Sequence, residues 1–375
     1  MMRDHSPVTL LLIATLTWLD GSGYHARVTP WPGRVALAVA LGAMLWCSRG
    51  VAADEARRPL KPEPRTVVVA LDGAGQYRSI QEAIEHALPG DTIRVKAGEY
   101  QEDVTIHSKE GLRLVGDGVD RVKILGRNRV GSFHIGKWPY GVKDVEVSGL
   151  TINEHGGLAM GIFNGRGVVL RDLRINGMVF AQQVQDVRIE RCVVGGSETT
   201  GIQFADSQAV LVANKIHDND HGVTIAGKSE VRLERNIILR SLFEGVVVTD
   251  SAKAALVRNT IVKNGGGVAF LGASQSEVSG NIVGMNKIGF LVGPASGTTF
   301  SFNALRNREG DYLKVGSPNI PAPELKGDSD LAVDPKFVDP VSDDFRLQED
   351  SPLTQVGGFD YLGALGPVTV TPSAR

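Results

Sequence analysis

The stretch NKIHDNDHGVTI (residues 214–225) places His217, Asp218, Asp220 and His221 within five positions. Imidazoles and carboxylates are the side chains that ligate metal ions and transfer protons near neutral pH. The same residue types also suit an exposed turn, where Asp and Asn side chains bond to nearby backbone groups. Which interpretation applies depends on the side chains that the fold brings beside this stretch.

From about residue 142 the sequence repeats with a period near 22 residues. Asparagines mark this period, at spacings of 22, 23, 22 and 22 residues: Asn214, Asn236, Asn259, Asn281 and Asn303. Apolar residues stand three positions before and two positions after each asparagine, and a glycine opens a second short alternating run. Repeats of this length built from short alternating strands indicate a solenoid. The strands are too closely spaced for intervening helices, so each strand must pair with its equivalent in the next repeat.

The predicted fold is all-β, a single-stranded right-handed parallel β-helix (solenoid) with an N-terminal capping helix. Its coils should stack about 4.8 Å apart, so that equivalent residues form columns along the axis. The asparagine columns suit the turns, where each amide can bond to the asparagine above and below it. Residues 77–91 predict the short amphipathic helix that covers the open first coil. The right hand follows the general preference of parallel crossover connections.

The chain is predicted to divide into five segments. Residues 1–53 form a signal or targeting region, because an apolar run too short to span a membrane precedes small residues typical of a cleavage site. A second apolar run at residues 8–19 leaves the true start open. The other segments are a linker (54–66), the cap and first irregular coils (67–141), regular coils (142–305), and a closing segment with a tail (306–375). The protein is therefore expected to be secreted or periplasmic, without stable membrane insertion after signal removal.

Composition excludes some classes of function. The net charge of −2 gives no electrostatic footprint for nucleic acid. Without residues 1–53, Cys192 is the only cysteine, so no internal disulfide forms. A small buried apolar residue is the expected role of this cysteine.

The stacking of coils decides which side chains can act with His221. Aligned on the glycine of each coil, His221 lies beside Thr200 and Glu244; aligned on the asparagine, Asp220 lies beside Glu198. A carboxylate and an imidazole one coil apart can share a proton, so Asp220 or Glu244 with His221 is the predicted catalytic pair. Glu198 next to Asp220 could attract Ca²⁺, the one cofactor that the sequence suggests. The alternative is a solvated turn with charge ladders.

Two cations follow the same stretch one and two coils later. Arg240 and Lys263 stack on Asp218 and could neutralise a substrate carboxylate. His217 has no second ligand in its column, so no zinc site is predicted there. The other members of that column are Gly195, Leu239, Val262 and Gly284.

A second candidate site is HIGKWPYGV (residues 134–142), which interrupts the regular repeat. Trp138 and Tyr140 could stack on sugar rings, and Lys137 could meet an acidic sugar. The alternative is a loop that folds its rings back over the first coils.

Residues 69–106, VALDGAGQYRSIQEAIEHALPGDTIRVKAGEYQEDVTI, resemble the opening of right-handed parallel β-helix proteins of the pectin-lyase-like superfamily, including pectinesterases. The closing DPKFVDP and DFRLQEDSPL are similar to the end of bacterial members whose substrates are unassigned. With the repeats, the resemblance covers about residues 66–356. It implies an extracellular polysaccharide substrate, often containing uronate, that is cleaved by β-elimination or hydrolysis, de-esterified or epimerised.

The chain departs from the motifs of the individual subfamilies. Gln185 and Asp186 stand at the entry of a coil strand and do not complete a pectinesterase motif set, and IHDNDHG is not the Asp-Pro-His-Asp element of alginate epimerases. The same coil also resembles periplasmic accessory proteins of the copper-maturation type. Two hypotheses follow: a protein that binds or modifies an acidic polysaccharide, as a lyase, epimerase or hydrolase would, and a non-catalytic periplasmic or surface repeat protein that binds a protein partner as an assembly factor or adhesion module.

Overall fold

The computed structural model describes residues 63–127 and 131–368, except for the side chains of residues 155 and 156. The predicted targeting region (1–53) and most of the predicted linker (54–66) lie outside the described residues. In the described part, no helix is both long and apolar enough to cross a membrane.

The first coils are closed by one short helix, α1 (Ile80–His86). Its first turn is capped twice: the Ser79 hydroxyl accepts a hydrogen bond from the backbone N–H of Glu82, and the Glu102 carboxylate accepts from the N–H of Ile80 at 2.8 Å. The apolar side of α1 is buried against the first strands, which confirms the predicted capping helix. These strands are β1 (Thr66–Val69), β2 (Thr92–Val95), β3 (Gly98–Tyr100), β4 (Val104–Ile106), β5 (Arg113–Gly116), β6 (Val122–Leu125) and β7 (Phe133–Ile135).

The following coils continue with parallel strands. In chain order they are β8 (Val142–Lys143), β9 (Glu146–Ser148), β10 (Thr151–Phe163), β11 (Gly165–Arg166), β12 (Val169–Arg171), β13 (Arg174–Gln182), β14 (Val187–Glu190), β15 (Val193–Gly195), β16 (Thr200–Ala205), β17 (Gln208–Val212), β18 (Lys215–His217), β19 (His221–Ala226), β20 (Glu230–Glu234), β21 (Ile237–Leu239), β22 (Glu244–Val248), β23 (Lys253–Val257), β24 (Thr260–Val262), β25 (Gly266–Phe270), β26 (Gln275–Ser279), β27 (Ile282–Gly284), β28 (Ile288–Val292), β29 (Gly297–Ser301), β30 (Ala304–Arg306) and β31 (Gly310–Lys314). Each strand pairs with its equivalent in the next coil, as the repeat predicts.

Each regular coil contributes to three sheets. Sheet A has eleven strands in the described residues, in the order β1-β2-β5-β9-β12-β14-β17-β20-β23-β26-β29. Sheet B contains the short strands that follow the asparagine turn: β15, β18, β21, β24, β27 and β30. Sheet C contains the strands that follow the next turn: β16, β19, β22, β25, β28 and β31. The long strands β10 and β13 run through both sheets B and C. The architecture is a parallel β-helix.

The apolar columns of the repeat fill the interior. Leu211 pairs with Leu233 in sheet A, and Ile216 pairs with Ile238 in sheet B. All four side chains are fully buried. Alternation along each strand therefore points one set of side chains into a core that runs the length of the helix and leaves the other set outside.

Two ladders of asparagines, all buried except the half-buried Asn307, hold the turns. In the first ladder, which joins sheet A to sheet B, Asn236 Nδ2 donates to Asn259 Oδ1 at 3.0 Å, as the column predicts. The ladder runs through Asn214, Asn236, Asn259, Asn281 and Asn303 and ends at Asp330. The second ladder, which joins sheet B to sheet C, runs through Asn264, Asn286 and Asn307 and ends at Asp311. A carboxylate is a fitting last member, because it accepts hydrogen bonds and requires no further acceptor.

The C-terminal residues pack on the outer face of sheet B rather than forming another coil. Phe345 and Leu347 lie against Leu239, Val262 and Ile282, and together they form a second apolar core outside the helix. The elements of this segment are β32 (Ile320–Pro321), the 3₁₀-helix Pro323–Leu325, β33 (Phe337–Asp339), β34 (Asp344–Leu347), β35 (Thr354–Val356) and β36 (Phe359–Tyr361).

Candidate functional site

One turn between sheets B and C is longer than its neighbours. The turn from Ser241 to Gly245 holds three intervening residues, whereas the turn from Asn219 to Gly222 in the previous coil holds two. The strands on both sides stay in register, so the additional residue is accommodated in the turn itself. An inserted residue of this kind redirects side chains locally.

The longer turn brings Phe243 and Glu244 against His221. The Phe243 ring stacks on the imidazole, with centroids 5.2 Å apart and planes at 28°. Glu244 Oε2 lies 3.3 Å from His221 Nδ1, within ion-pair distance but without the geometry of a hydrogen bond. Nδ1 is shielded from solvent, although a third of the His221 side chain is exposed. Nε2 is therefore the ring nitrogen that can reach a ligand.

The charge of Glu244 follows from this contact. The neighbouring His221 imidazole holds the pKa of the Glu244 carboxyl below its usual value, although burial acts in the opposite direction. Glu244 is therefore ionised at neutral pH. A carboxylate facing Nδ1 favours the tautomer that carries its proton on Nδ1 and leaves Nε2 as a proton acceptor. The pair has the arrangement of a general base and its orienting carboxylate.

A separate ionic network lies in the same coil. The Asp218 carboxylate contacts His217 Nδ1 at 2.6 Å and Arg240 Nε at 2.7 Å. Arg240 also binds Asp343 of the closing segment, and Lys263 Nζ lies 2.7 Å from the same carboxylate. The two cations expected to neutralise a substrate carboxylate are thus already paired with carboxylates of the chain itself. Their observed role is to attach the closing segment to sheet B.

The predicted pair of Glu198 and Asp220 is adjacent only through the backbone. Asp220 N donates to Ser197 O at 3.3 Å, which places the two residues in neighbouring coils. Glu198 is exposed, and among the described residues no hydrogen bond or ion pair joins it to Asp220. No group of three His, Cys, Asp or Glu side chains in the described ranges could hold a metal ion. Burial raises the pKa of the Cys192 thiol to about 12, so this side chain stays protonated near neutral pH.

A cavity of about 500 Å³ lies at the other candidate stretch. Trp138, which is 73% exposed, and Lys137 line it from the loop. The other lining side chains come from the outer face of strands and turns of the first coils: Thr105, His134, Phe163, Asn164, Gln182 and Gln183. Tyr140 is not among the lining residues, because its ring lies near His107, 6.4 Å away between centroids.

Ring packing shapes the floor of this cavity. His134 stacks on Phe163 with centroids 6.0 Å apart, and Phe163 contacts the edge of Phe180. Gly161 lies beneath these rings. A Cβ at that position would approach Phe163 Cε2 to 2.4 Å, so a side chain there would displace the ring.

The cavity carries one cation and no carboxylate among its described lining residues. Lys137 Nζ forms no ion pair within the described part of the chain, in contrast to Arg240 and Lys263. Burial lowers the pKa of His134, with a nearby Asp103 opposing the shift, so the imidazole is neutral near pH 7. The lining thus offers an aromatic face, amides that donate and accept, and a positive charge.

The cavity and the His221–Glu244 pair lie on one continuous face. Pairing runs from β7 through β10, β13 and β16 to β19, four steps of about 4.8 Å, or about 19 Å along the axis. Between them the outer side of sheet C carries small or neutral side chains at half-buried positions: Gln203, Ala205, Thr224 and Ala226. A ligand that reaches both places must be an extended molecule.

Two families match different parts of the chain. The family described as Pectinesterase matches residues 66–141, which contain α1 and the first strands. The family described as Periplasmic copper-binding protein (NosD) matches residues 146–318, which contain the regular coils and the His221–Glu244 pair. The Trp138 loop lies in the first match, and Phe163 and Gln182 lie in the second.

Among curated proteins, the chain is 31% identical over 156 residues to putative pectinesterase/pectinesterase inhibitor 22 of Arabidopsis thaliana, a match covering 38% of this chain and 25% of that protein. It is 38% identical over 80 residues to pectinesterase 2 of Citrus sinensis, covering 20% of this chain and 16% of that protein. The matched region thus spans a quarter or less of these relatives. Among solved structures, pectate lyase Pel9A superposes with a TM-score of 0.53 at 12% identity, covering 82% of this chain and 97% of that one.

The chain is a parallel β-helix protein of the pectin-lyase-like fold. The stacked coils and the superposition on Pel9A over nearly its whole length decide this, and at 12% identity they concern the fold alone. Activity therefore depends on the side chains on the helix surface and not on the fold.

Of the predicted site residues in this β-helix protein, the structure brings His221 to Glu244 and places Lys137 and Trp138 together at a cavity. It does not bring Asp220 to His221 Nδ1, and Tyr140 lies outside the cavity lining. Sequence reasoning missed the amides and rings that complete the cavity, since the coils that carry them differ in length and their strands pair with shifts in register. It also missed Phe243, although the spacing of 23 residues between Gly222 and Gly245 marks the longer turn.

Proposed function

We propose that this protein binds an acidic polysaccharide along sheet C and modifies it. One sugar unit would occupy the Trp138 cavity, with its ring on the indole face, its carboxylate at Lys137 and its hydroxyls at the amides of Gln182 and Gln183. The observation that carries the proposal is this cavity, which combines an aromatic face and amides with an unpaired cation and lacks a carboxylate. Such a site favours an anionic sugar over a neutral one.

The His221–Glu244 pair supplies the chemistry in this proposal. His221 Nε2 would take or deliver a proton on a sugar unit several positions along the polymer, while Glu244 holds the ring and stabilises its charged form. Elimination, epimerisation, glycosidic hydrolysis and ester hydrolysis all require such a proton transfer. The pectinesterase-like matches support a carbohydrate substrate, and we infer export because the predicted targeting region precedes a fold shared with pectate lyase Pel9A.

Binding is tested with a matched pair of aromatic variants. Binding of oligouronates prepared from pectate and alginate is measured by isothermal titration, with and without Ca²⁺. The dissociation constant of Trp138→Ala should be at least about fivefold higher than that of the wild type, since stacking contributes about 1 kcal/mol or more. Tyr140→Ala is the control, because Tyr140 belongs to the same loop but does not line the cavity. Lys137→Gln should weaken the binding of oligouronates and leave the binding of neutral oligosaccharides unchanged. Equal losses for Trp138→Ala and Tyr140→Ala would remove the cavity from the proposal.

Catalysis is tested with the two histidines of one coil. Four products are measured with the same polymers: reducing ends, unsaturated uronate, uronate of changed stereochemistry and released ester alcohol. His221→Ala and Glu244→Gln should reduce turnover by about 100-fold or more while oligosaccharide binding at the cavity persists. His217→Ala is the control, because His217 is paired with Asp218 four residues before His221. Turnover at the wild-type level in a His221→Ala, Glu244→Ala double variant would exclude the assignment.

A second candidate is a non-catalytic periplasmic assembly factor, favoured by the match of residues 146–318 to the family described as Periplasmic copper-binding protein (NosD). For an assembly factor, we expect no product from any glycan and no binding of oligouronates. We also expect that a defined protein partner is recovered from the periplasm. The oligouronate titration therefore separates the two candidates.

A further inference from the structure

The second asparagine ladder is interrupted in the coil that carries the longer turn. At Asn264 and Asn286, each Nδ2 atom donates to the Oδ1 atom of the next ladder member and to a backbone carbonyl oxygen of the preceding coil. Ser241 occupies the equivalent position one coil before Asn264 and one coil after Asn219. Its backbone N–H still donates to Asn264 Oδ1 at 2.8 Å, but its side chain is too short to continue the ladder.

The interruption leaves buried polar atoms without partners. Asn219 and Ser241 are each 4% exposed, and neither Asn219 Nδ2 nor Ser241 Oγ has a hydrogen-bond partner among the described residues. Leaving such atoms unpaired costs about 1–3 kcal/mol each. An asparagine at position 241 would offer its carboxamide oxygen to Asn219 Nδ2 and would remove the serine hydroxyl, as at the following members of the ladder. Serine at position 241 therefore makes the ladder less stable than asparagine would.

We propose that the ladder break at Ser241 is a binding site for one buried water molecule, and that this water positions the turn that holds Glu244 against His221. Asn219 Nδ2 would donate to the water, and Ser241 Oγ would form a second hydrogen bond with it. Asn219 Nδ2 and Ser241 Oγ supply the two polar partners that an internal water site needs at minimum, and serine lacks the carboxamide that fills this position at Asn264. Both atoms are closed to bulk solvent, so the site suits a water molecule and not a sugar hydroxyl.

The location gives this site its role. The longer turn begins at Ser241, and the turn must depart from the common geometry to place both Phe243 and Glu244 beside His221. A side chain fixed by the ladder would hold the turn in the form seen at Asn264. Bonding through a water molecule keeps Asn219 and Ser241 satisfied and releases the turn from that geometry. The water site does not depend on which reaction the pair performs.

The first experiment compares high-resolution crystal structures of the wild type and Ser241→Asn. The wild type should show one ordered water within hydrogen-bond distance of Asn219 Nδ2 and Ser241 Oγ. In Ser241→Asn the water should be displaced, the new carboxamide should accept from Asn219 Nδ2, and Tm should rise by about 2 °C or more. Asn286→Ser, which makes the same break elsewhere in the ladder, is the control and should lower Tm. A direct bond between Asn219 and Ser241 without water would overturn the proposal, as would a lower Tm for Ser241→Asn.

The positioning role has its own readout. The ¹⁵N chemical shifts of the His221 imidazole report which ring nitrogen carries the proton, and the wild type should show the Nδ1–H tautomer because Nδ1 faces Glu244. Ser241→Asn should shift the population towards the Nε2–H tautomer, and Asn286→Ser should leave it unchanged. An unchanged tautomer in Ser241→Asn would overturn the positioning role. Ser241→Ala, which introduces no additional volume, should lower Tm and disorder the water; an unchanged Tm and an ordered water would count against the proposal.

Discussion

His221 and His217 lie four residues apart in one coil, yet their surroundings give them different chemistry. His217 contacts Asp218, whose carboxylate is also held by Arg240, so this imidazole belongs to an ionic network that reaches the closing segment. His221 faces a single carboxylate, Glu244, and its other nitrogen is available to a ligand. At the residue scale, the neighbouring coil decides the role of each histidine.

The network at Asp218 gives a prediction about pH and stability. Arg240 is the main cause that lowers the pKa of Asp218 from 3.8 to about 2. Because the folded-state pKa lies below the unfolded value, the stabilisation is fully present above about pH 4 and is lost as the pH falls towards 2. The side chain is half-exposed, so Asp218→Asn should lower the free energy of unfolding at neutral pH by no more than about 1 kcal/mol.

Urea denaturation of Asp218→Asn at a series of pH values measures this effect. The difference from the wild type should shrink below pH 4 and be mostly lost at pH 2, where half of the folded molecules carry a protonated Asp218. Asp360→Asn is the control, since Asp360 is exposed and its substitution should change little at any pH. A difference that persists undiminished at pH 2 would contradict the assignment.

At the scale of elements, the ladders determine where the coils can end. Each asparagine donates its Nδ2 hydrogen to the Oδ1 atom of the asparagine in the next coil. The last asparagine therefore requires an acceptor that carries no donor of its own. Asp330 meets this requirement: it accepts from Asn303 N at 2.6 Å, from Asn303 Nδ2 at 3.1 Å, from Gly327 N at 3.2 Å and from the Tyr312 hydroxyl. Burial and the Asp330 carboxylate raise the pKa of Tyr312, which keeps the hydroxyl protonated as a donor.

Replacing this carboxylate by an amide should therefore destabilise the last coils. Asp330→Asn introduces donors where the Tyr312 hydroxyl and the Gly327 N–H already donate, and the expected loss in free energy of unfolding is about 1–3 kcal/mol. Thermal and urea unfolding measure the change. Asp328→Asn, two residues away and exposed, is the matched control. Equal stability of the two variants would show that Asp330 does not support the ladder.

At the scale of the whole molecule, the closing segment covers one of the three sheets. Sheet B exposes apolar side chains outwards over several coils, and Phe345 and Leu347 cover them. Asp343 reinforces this attachment through Arg240 and Lys263. The segment therefore connects coils that otherwise touch only their immediate neighbours, and it should make their unfolding more cooperative.

A substitution at Phe345 tests this role. Phe345→Ala should cost about 3–5 kcal/mol, because a fully buried ring is lost from a small core. The closing segment should then detach locally, with faster cleavage of residues 333–347 by proteases and increased binding of a hydrophobic dye. Val341→Ala is the control, since Val341 is 88% exposed in the same segment. Identical proteolysis of the two variants would show that the segment is held by its ion pairs.

The sequence by itself determined the fold, because the parallel β-helix is a local repeat. Once each coil must stack on the next, the columns of Leu211 and Ile216 have to be inside and those of Asn214 have to lie in the turns. The same alignment predicted that Glu244 would stand beside His221, since one coil of offset is a fixed sequence distance. The existence of the helix α1 followed from its apolar face, although the helix covers only Ile80–His86 of the predicted residues 77–91.

Only the tertiary structure decided what breaks the repeat. Asp343 lies 80 residues from Lys263 in the sequence. No local sequence pattern predicts that its carboxylate pairs with the two cations, Arg240 and Lys263, that were expected to bind a substrate. The cavity at Trp138 collects side chains from coils of unequal length, where counting residues gives no register. The break at Ser241 is visible in the sequence as one serine in an asparagine column, but the unpaired atoms it leaves depend on burial, which is a property of the packed coils and not of the chain.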